Sequence, residues 1–148
     1  MINPHDSDQS FSYDITCYTT DNILILPIQN ELYADTITAI ESYVLKAING
    51  NQSIIGIVID LSTVNVIDKK DMESLEKIIT MAQLMGCIGI ISGMSPHLTM
   101  ALVGLGDINL TFETTSTVSN AIEKIKKLKD SQVYGSLNDT VDENVIDI

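Results

Sequence analysis

The stretch IIGIVIDL, Ile54–Leu61, decides the architecture. It is nearly continuous in apolar residues and rich in β-branched ones, which is how a strand reads when both of its faces are covered. Such strands belong to parallel sheets, and a parallel neighbour requires a crossover of a dozen or more residues. The sequence on either side supplies these crossovers. Upstream, from Glu31 to about Asn49, the residues Tyr33, Ile37, Ile40, Val44 and Ala47 recur every three or four positions on one helical face, and Gly50 ends the run. Downstream, Met72, Leu75, Ile79, Ala82 and Met85 trace a second helical face that stops at Gly86.

Further outward the alternation continues. CIGIIS, Cys87–Ser92, is a second buried strand. Ser95 then caps a short helix with Pro96 at its first position, where a missing N–H costs nothing, and Gly104 and Gly106 close it. LTFET, Leu110–Thr114, gives a last strand. Val118, Ala121, Ile122, Ile125 and Leu128 give a final amphipathic helix whose closing lysines, Lys124, Lys126, Lys127 and Lys129, suit a helix C-terminus. Toward the N-terminus, ITCYTT and ILILPI form a hairpin around Asp21-Asn22. The sum is β-β-α-β-α-β-α-β-α, an α/β fold with a mixed, mostly parallel sheet, a preceding β-hairpin and about four helices. The domain is expected over 11–129, with a flexible tail over 1–10 and an acidic, aperiodic, disordered tail over 130–148.

Composition narrows the function. The 148 residues suffice for one self-supporting core. Twenty carboxylates face eight lysines and no arginine, a formal charge of -12, which argues against nucleic acid as a ligand. The missing arginine also removes the usual fork for phosphorylated metabolites. The opening MINPHDSDQS has neither the basic start nor the apolar run of a secretory signal, so a cytoplasmic location is expected. The most apolar region, Gly86–Gly106, is broken by Ser95-Pro96-His97 and glycines, so no membrane span is expected. Cys17 and Cys87 lie in apolar runs and read as core packing, not as a disulfide or redox pair.

Enzymatic chemistry is thinly represented. GLGDIN at Gly104 follows a helix where a dinucleotide fingerprint would open one, so it reads as a helix stop. His5 falls in the tail and His97 in the first turn of the short helix, both read as solvated or locally bonded. No Cys/His metal spacing and no P-loop occur, and no cofactor is expected. Asp60, Asp68 and Asp71 fall around one strand-helix junction. Asp60 and Asp68 are the residues of the enzymatic or small-ligand alternative, a receiver-like domain holding Mg²⁺. A receiver, however, draws its acidic groups from two strands and needs a lysine after a later one, and CIGIIS is followed by none.

That junction also carries a charge anomaly. In NVIDKKDMESL, Asn65–Leu75, a helix starts after Asp68 with Lys69 and Lys70 in its first turn, where the backbone field disfavours positive charge. The surrounding motifs are DLSTV at the strand end, VID opening the helix, LMG closing it, and GMSPHLTMALVGLG after the next strand. Together they resemble the STAS domain of anti-sigma-factor antagonists, in particular the RsbS and RsbR proteins of bacterial stressosomes, over about two thirds of the chain. A domain without a sensor module looks more like RsbS. The resemblance implies a protein-interaction module and no enzyme. Its implied partners are a serine/threonine kinase of the anti-sigma-factor class, with a histidine-kinase-like ATPase fold, and other STAS proteins in a homo- or hetero-oligomer. It places the partner surface at Asp68, Lys69, Lys70 and Met72. A serine or threonine directly after the ID is the usual phosphoacceptor, and here that position is Lys69. The second acceptor of RsbR-like proteins falls on Ala101. Ser62, Thr63 and Ser74 remain as nearby hydroxyls to which phosphorylation can have moved.

Overall fold

The computed structural model describes residues 15–29, 34–104, 106 and 112–146, the side chains of 34 and 134–146 excepted. The N-terminal tail 1–10, His5, Tyr33 and the opening of LTFET lie outside the described residues. The elements are β1 (Tyr18–Thr20), β2 (Ile23–Pro27), α1 (Ala34–Gly50), β3 (Gly56–Asp60), α2 (Lys69–Leu84), β4 (Ile88–Ser92), α3 (Pro96–Gly104), β5 (Glu113–Thr115) and α4 (Val118–Ile146). They build a five-stranded sheet in the order β1-β2-β3-β4-β5, antiparallel between β1 and β2 and parallel elsewhere.

Alternation along the strands divides the core between two layers. Leu24, Leu26, Ile57, Ile59 and Ile91 point to one face, where they pack with Ile40 and Val44 of α1, Leu75 and Ile79 of α2, and Leu98 of α3. Ile23, Ile25, Val58 and Ile90 point to the other, under Ala121 and Ile125 of α4. The strand read as doubly covered is therefore covered by α1 and α2 on one side and α4 on the other. At the hairpin, Asp21 and Asn22 both take positive φ, 51° and 62°, as a tight two-residue turn requires. Lys126 of α4 reaches back to the Asp21 carboxylate at 2.7 Å.

Two expectations need correction. Met85 does not join the buried face of α2. It follows the last helical residue and is 40 % exposed, while Ile78 takes its place in the core. Within LTFET, Glu113 and Thr114 pair with β4 in the last strand, and Phe112 just ahead of them is buried in the larger cluster. The last helix does not end at the lysine run but extends to Ile146. Its residues 131–133 are exposed, so the first turn beyond the lysine run adds no buried face for periodicity to register.

Two predictions follow from the packing. A Cβ at Gly89 would stand 2.6 Å from Cγ2 of Ile79, where α2 lies directly on β4. Gly89→Ala is expected to destabilise the fold by about 1–3 kcal/mol in denaturant unfolding, and Ile79→Ala in the same chain should give a smaller loss than the sum of the two. The second concerns the thiols. Cys87 is 5 % exposed, its thiol donates to the Ile54 carbonyl at 3.5 Å, and burial pushes its pKa up. Native protein treated with a thiol-reactive dye should label the half-buried Cys17 first, with Cys87 reacting only as the chain unfolds.

Candidate functional site

The carboxyl ends of β3 and β4 meet in a polar knot centred on Asp60. Its Oδ1 accepts from the Ser62 N–H at 3.2 Å and from the Ser92 hydroxyl at 3.3 Å, and its Oδ2 accepts from the Ser62 hydroxyl at 2.9 Å. Ser92 is fully buried, so this bond satisfies a hydroxyl that water cannot reach. Backbone bonds continue the knot on both sides: Ile28 N–H donates to the Asp60 carbonyl, Leu61 N–H to that of Ser92, and Gly93 N–H to that of Thr115. Gly93 has φ +76°, and a Cβ there would stand 2.5 Å from Asp60 Oδ1. Only glycine allows the chain to pass so close in that conformation. Thr63 adds a hydroxyl bond of 2.7 Å to the Ile28 carbonyl, joining the loop to the end of β2.

From this knot the chain runs to α2 along a loop pinned by three apolar anchors. Leu61, Val64 and Ile67 are buried, while Ser62, Thr63, Asn65 and Asp68 are exposed and Val66 is 67 % exposed. Asp68 caps the helix: with φ -93° and ψ 172°, its Oδ1 accepts from the Asp71 N–H at 2.7 Å. The first turn of α2 is thereby fixed with Lys69 and Lys70 projecting into solvent. Among the described residues the ion pairs join Lys124 to Glu113, Lys126 to Asp21 and Lys127 to Glu123, and neither Lys69 nor Lys70 enters one. Partial burial, followed by the Asp68 charge, raises the pKa of the Asp71 carboxyl, and Lys70 opposes the shift. A raised carboxyl binds protons more tightly folded than unfolded. It therefore subtracts stability as the pH climbs from the ordinary carboxylate value through the raised one.

The structure places the remaining candidates differently from one another. Met72 is only 4 % exposed and packs in the larger core cluster, so it supports the first turn of α2 from beneath and presents no surface. The Ser74 hydroxyl donates back to the Lys70 carbonyl at 3.0 Å, and the Ser62 and Thr63 hydroxyls are bonded as above. Ala101 is exposed on α3, as is His97 in that helix's first turn, behind the Ser95 cap that accepts from Leu98 N–H. GLGDIN begins where α3 ends, with Gly106 N–H bonded to the Val103 carbonyl, and residues 105 and 107–109 lie outside the described residues. Asp60 and Asp68 do not form a shared cation site: one carboxylate holds three internal donors and the other caps a helix. Among the described residues no group of three His, Cys, Asp or Glu side chains could hold a metal ion. Sequence reading missed the Ser92–Gly93 half of the knot and the exposure of Val66. A polar residue ending an otherwise apolar strand, followed by glycine, was the available signal.

The domain thus combines an antiparallel hairpin on a parallel sheet, a hydrogen-bonded knot at the sheet's carboxyl edge and a capped, exposed helix start. The STAS domain family model matches residues 14–121, and the chain belongs to that family. No curated protein matches it significantly. Solved structures share the fold. A serine-to-glutamate variant of RsbS from Moorella thermoacetica aligns with a TM-score of 0.67 and 22% identity over 78% of this chain and 97% of that one. A chain from the stressosome, described as a signal integration and transduction hub, aligns at 0.62 and 22% over 77% and 98%. SpoIIAA of Bacillus, a cell fate determinant in its phosphorylated form, aligns at 0.56 and 14% over 75% and 98%.

The cap is open to a direct test. Asp68→Ala should lower stability by about 0.5–2 kcal/mol, whereas Asp68→Asn should keep most of it. In the same alanine variant, titration followed by NMR should move the Asp71 carboxyl part of the way back toward its ordinary pKa, since burial remains but the Asp68 charge that adds to it has gone.

Proposed function

We propose that the chain is a non-enzymatic, cytoplasmic protein-interaction module of the anti-sigma-factor antagonist or stressosome type, RsbS-like, that contacts its partner through the start of α2. The observation that carries this is the exposed first turn beside the Asp68 cap in a chain of the STAS family. The resemblance puts the phosphoacceptor at the residue after the ID, which is Lys69. Lysine neither accepts phosphate on oxygen nor imitates it, so the site presents a fixed positive charge. Asp68, Lys69 and Lys70 are the proposed contact residues, with Met72 withdrawn to a supporting role. The proposed partners are a serine/threonine kinase of the anti-sigma-factor class and further STAS chains in an oligomer. The interacting unit is 11–129, with 1–10 and 130–148 outside it.

The two lysines oppose the helix dipole at a cost of about 0.3–1 kcal/mol each, and the neighbouring Asp68 and Asp71 offset part of it. An acidic partner surface gains what the helix loses. Phosphorylation at the alternative hydroxyls is disfavoured by their bonds: Ser74 is turned onto its own helix, Ser62 onto Asp60 and Thr63 onto the Ile28 carbonyl. The receiver-like reading through Asp60 and Asp68 has no geometry in its favour.

The test is a pull-down from the native cell followed by incubation with the recovered kinase and ATP. Wild-type chain should stay unphosphorylated over the peptide Ser62–Lys77, Lys69→Ser should gain one phosphate there, and Lys69→Glu should weaken partner binding about tenfold. A phosphopeptide from the wild-type chain, or a Lys69→Glu variant that binds unchanged, contradicts the proposal.

A further inference from the structure

The last helix outruns the sheet that it covers. The 29 residues of α4 make a rod of about 43 Å, whereas a five-residue strand beneath it spans about 17 Å. Ala121 and Ile125 are buried with Ile23, Ile25, Val58 and Ile90, and Ile125 lies directly on the backbone of Gly56. Residues 130–133 are then exposed, Val133 by 53 %. Because α4 runs back from the end of β5 and is tied to the Asp21 turn by Lys126, its remainder leaves the domain at the pole opposite Asp68.

Wound as a helix, the segment expected to be an aperiodic tail has two sides. At about 100° per residue, the positions of Val133, Tyr134, Leu137, Val141 and Val145 fall within an arc of about 120°. Asp139, Asp142 and Glu143 fall outside it, with Asp142 and Glu143 nearest its two borders. This arc is turned by about 140° from Val118, Ala121, Ile122 and Ile125, the positions packed on the sheet, so it does not prolong that face. Charge changes sign at the same point. The lysine run ends at Lys129, and from Asp130 to Ile146 the carboxylates are Asp130, Asp139, Asp142 and Glu143, with no lysine among them. Gly135, Ser136, Asn138, Thr140 and Asn144 are weak helix formers, so a helix here draws its stability from a covered apolar side and not from propensity.

We propose that residues 130–146 of α4 form a docking arm for a basic amphipathic helix of another protein, which lies along the Val133–Val145 side. Apolar positions spaced in this way are how one helix engages another. The sign of the partner follows from the carboxylates at the borders of the arc, which gain from lysine or arginine flanking the partner's own apolar stripe. A second copy would set these acids against their own kind. The lysine run bounds the seam on the side of the domain. This inference goes beyond the contact proposed at Asp68: it gives the segment outside that unit a contact of its own, at the other pole, and uses no property of Lys69.

Fluorescence anisotropy tests it, with the full chain and a synthetic helical peptide carrying leucine at heptad a and d positions and lysine elsewhere. One control peptide scrambles that composition and another replaces lysine by glutamate. The patterned basic peptide should bind at least about tenfold more tightly than either. Leu137→Gln/Val141→Gln, which leaves the charge unchanged, should weaken it at least about tenfold and keep the wild-type denaturant midpoint, since both positions lie beyond the part of α4 packed on the sheet. No binding of the patterned peptide, equal binding of the scrambled one, undiminished binding by the double variant, or sedimentation showing that the chain pairs with itself through these two positions overturns the inference. Lys69→Glu should bind the peptide as wild type does, so the arm and the start of α2 succeed or fail separately.

Discussion

The Asp60 carboxylate holds the carboxyl edge of the sheet together, and the placing of the candidate site depends on it. Four parallel strands end side by side at this edge, where the ladder stops supplying partners for backbone and side-chain groups. One carboxylate takes the Ser92 hydroxyl from the neighbouring strand and the Ser62 N–H and hydroxyl from its own loop. Each hydrogen bond to a charged group contributes about 1.5–3 kcal/mol where it is shielded, and less for the exposed Ser62 bonds. The larger consequence is directional. With Ser62 fixed, the buried Leu61, Val64 and Ile67 set the course of the loop, and that course delivers Asp68 to the point where α2 begins. The knot thus engages Asp60 within the fold, at a position where sequence alone leaves it open to receiver-like chemistry.

The same helix links the two ends of the molecule. Ordinary helices place acids in the first turn and bases in the last, but α2 begins with Lys69 and Lys70 ahead of Asp71 and ends with no base. At the start, positive charge is retained where the family resemblance puts the switch position. At the end, the Met85 N–H closes the last turn on the Met81 and Ala82 carbonyls without help from a basic side chain. Helix stability is supplied instead by the buried face, Met72, Leu75, Ile78, Ile79 and Ala82, which frees both ends from the usual electrostatic preferences.

Much of this was legible in sequence because burial writes a period. The doubly covered IIGIVIDL, the face of α2 and the Ser95-Pro96 helix start all follow from spacing and capping chemistry alone, and the structure places them where those rules put them. What could not be read depended on partners far along the chain. Nothing local says that Ser92 will be buried against Asp60, thirty-two residues earlier, or that Gly93 must lack a side chain because a carboxylate lies under it. Met72 and Met85 show the same limit from opposite sides. Both fit the helical stripe, yet one lies under the first turn and the other is levered outward as the chain leaves the helix for β4. Periodicity assigns a face, but it does not say where the covering layer ends.

Under the proposed reading, the sign of the charge at residue 69 matters more than its position. A phosphate at a helix N-terminus carries about -1.5 to -2 charges and is welcomed by the helix dipole, so phosphorylation there leaves the domain's own fold undisturbed. Its effect falls on whatever surface docks against it. Lysine inverts both halves of that relation: it is mildly unfavourable to the helix and presents +1 to the partner, a change of nearly three charges at one point. A partner matched to an unmodified hydroxyl would meet a charge needing an acidic counterpart, and one matched to the phosphorylated form would be repelled. The substitution therefore does more than silence a switch. It selects for a partner with a carboxylate opposite residue 69 and holds that preference whatever the kinase does, which is the behaviour expected of a constant subunit in an assembly whose other members carry the signal.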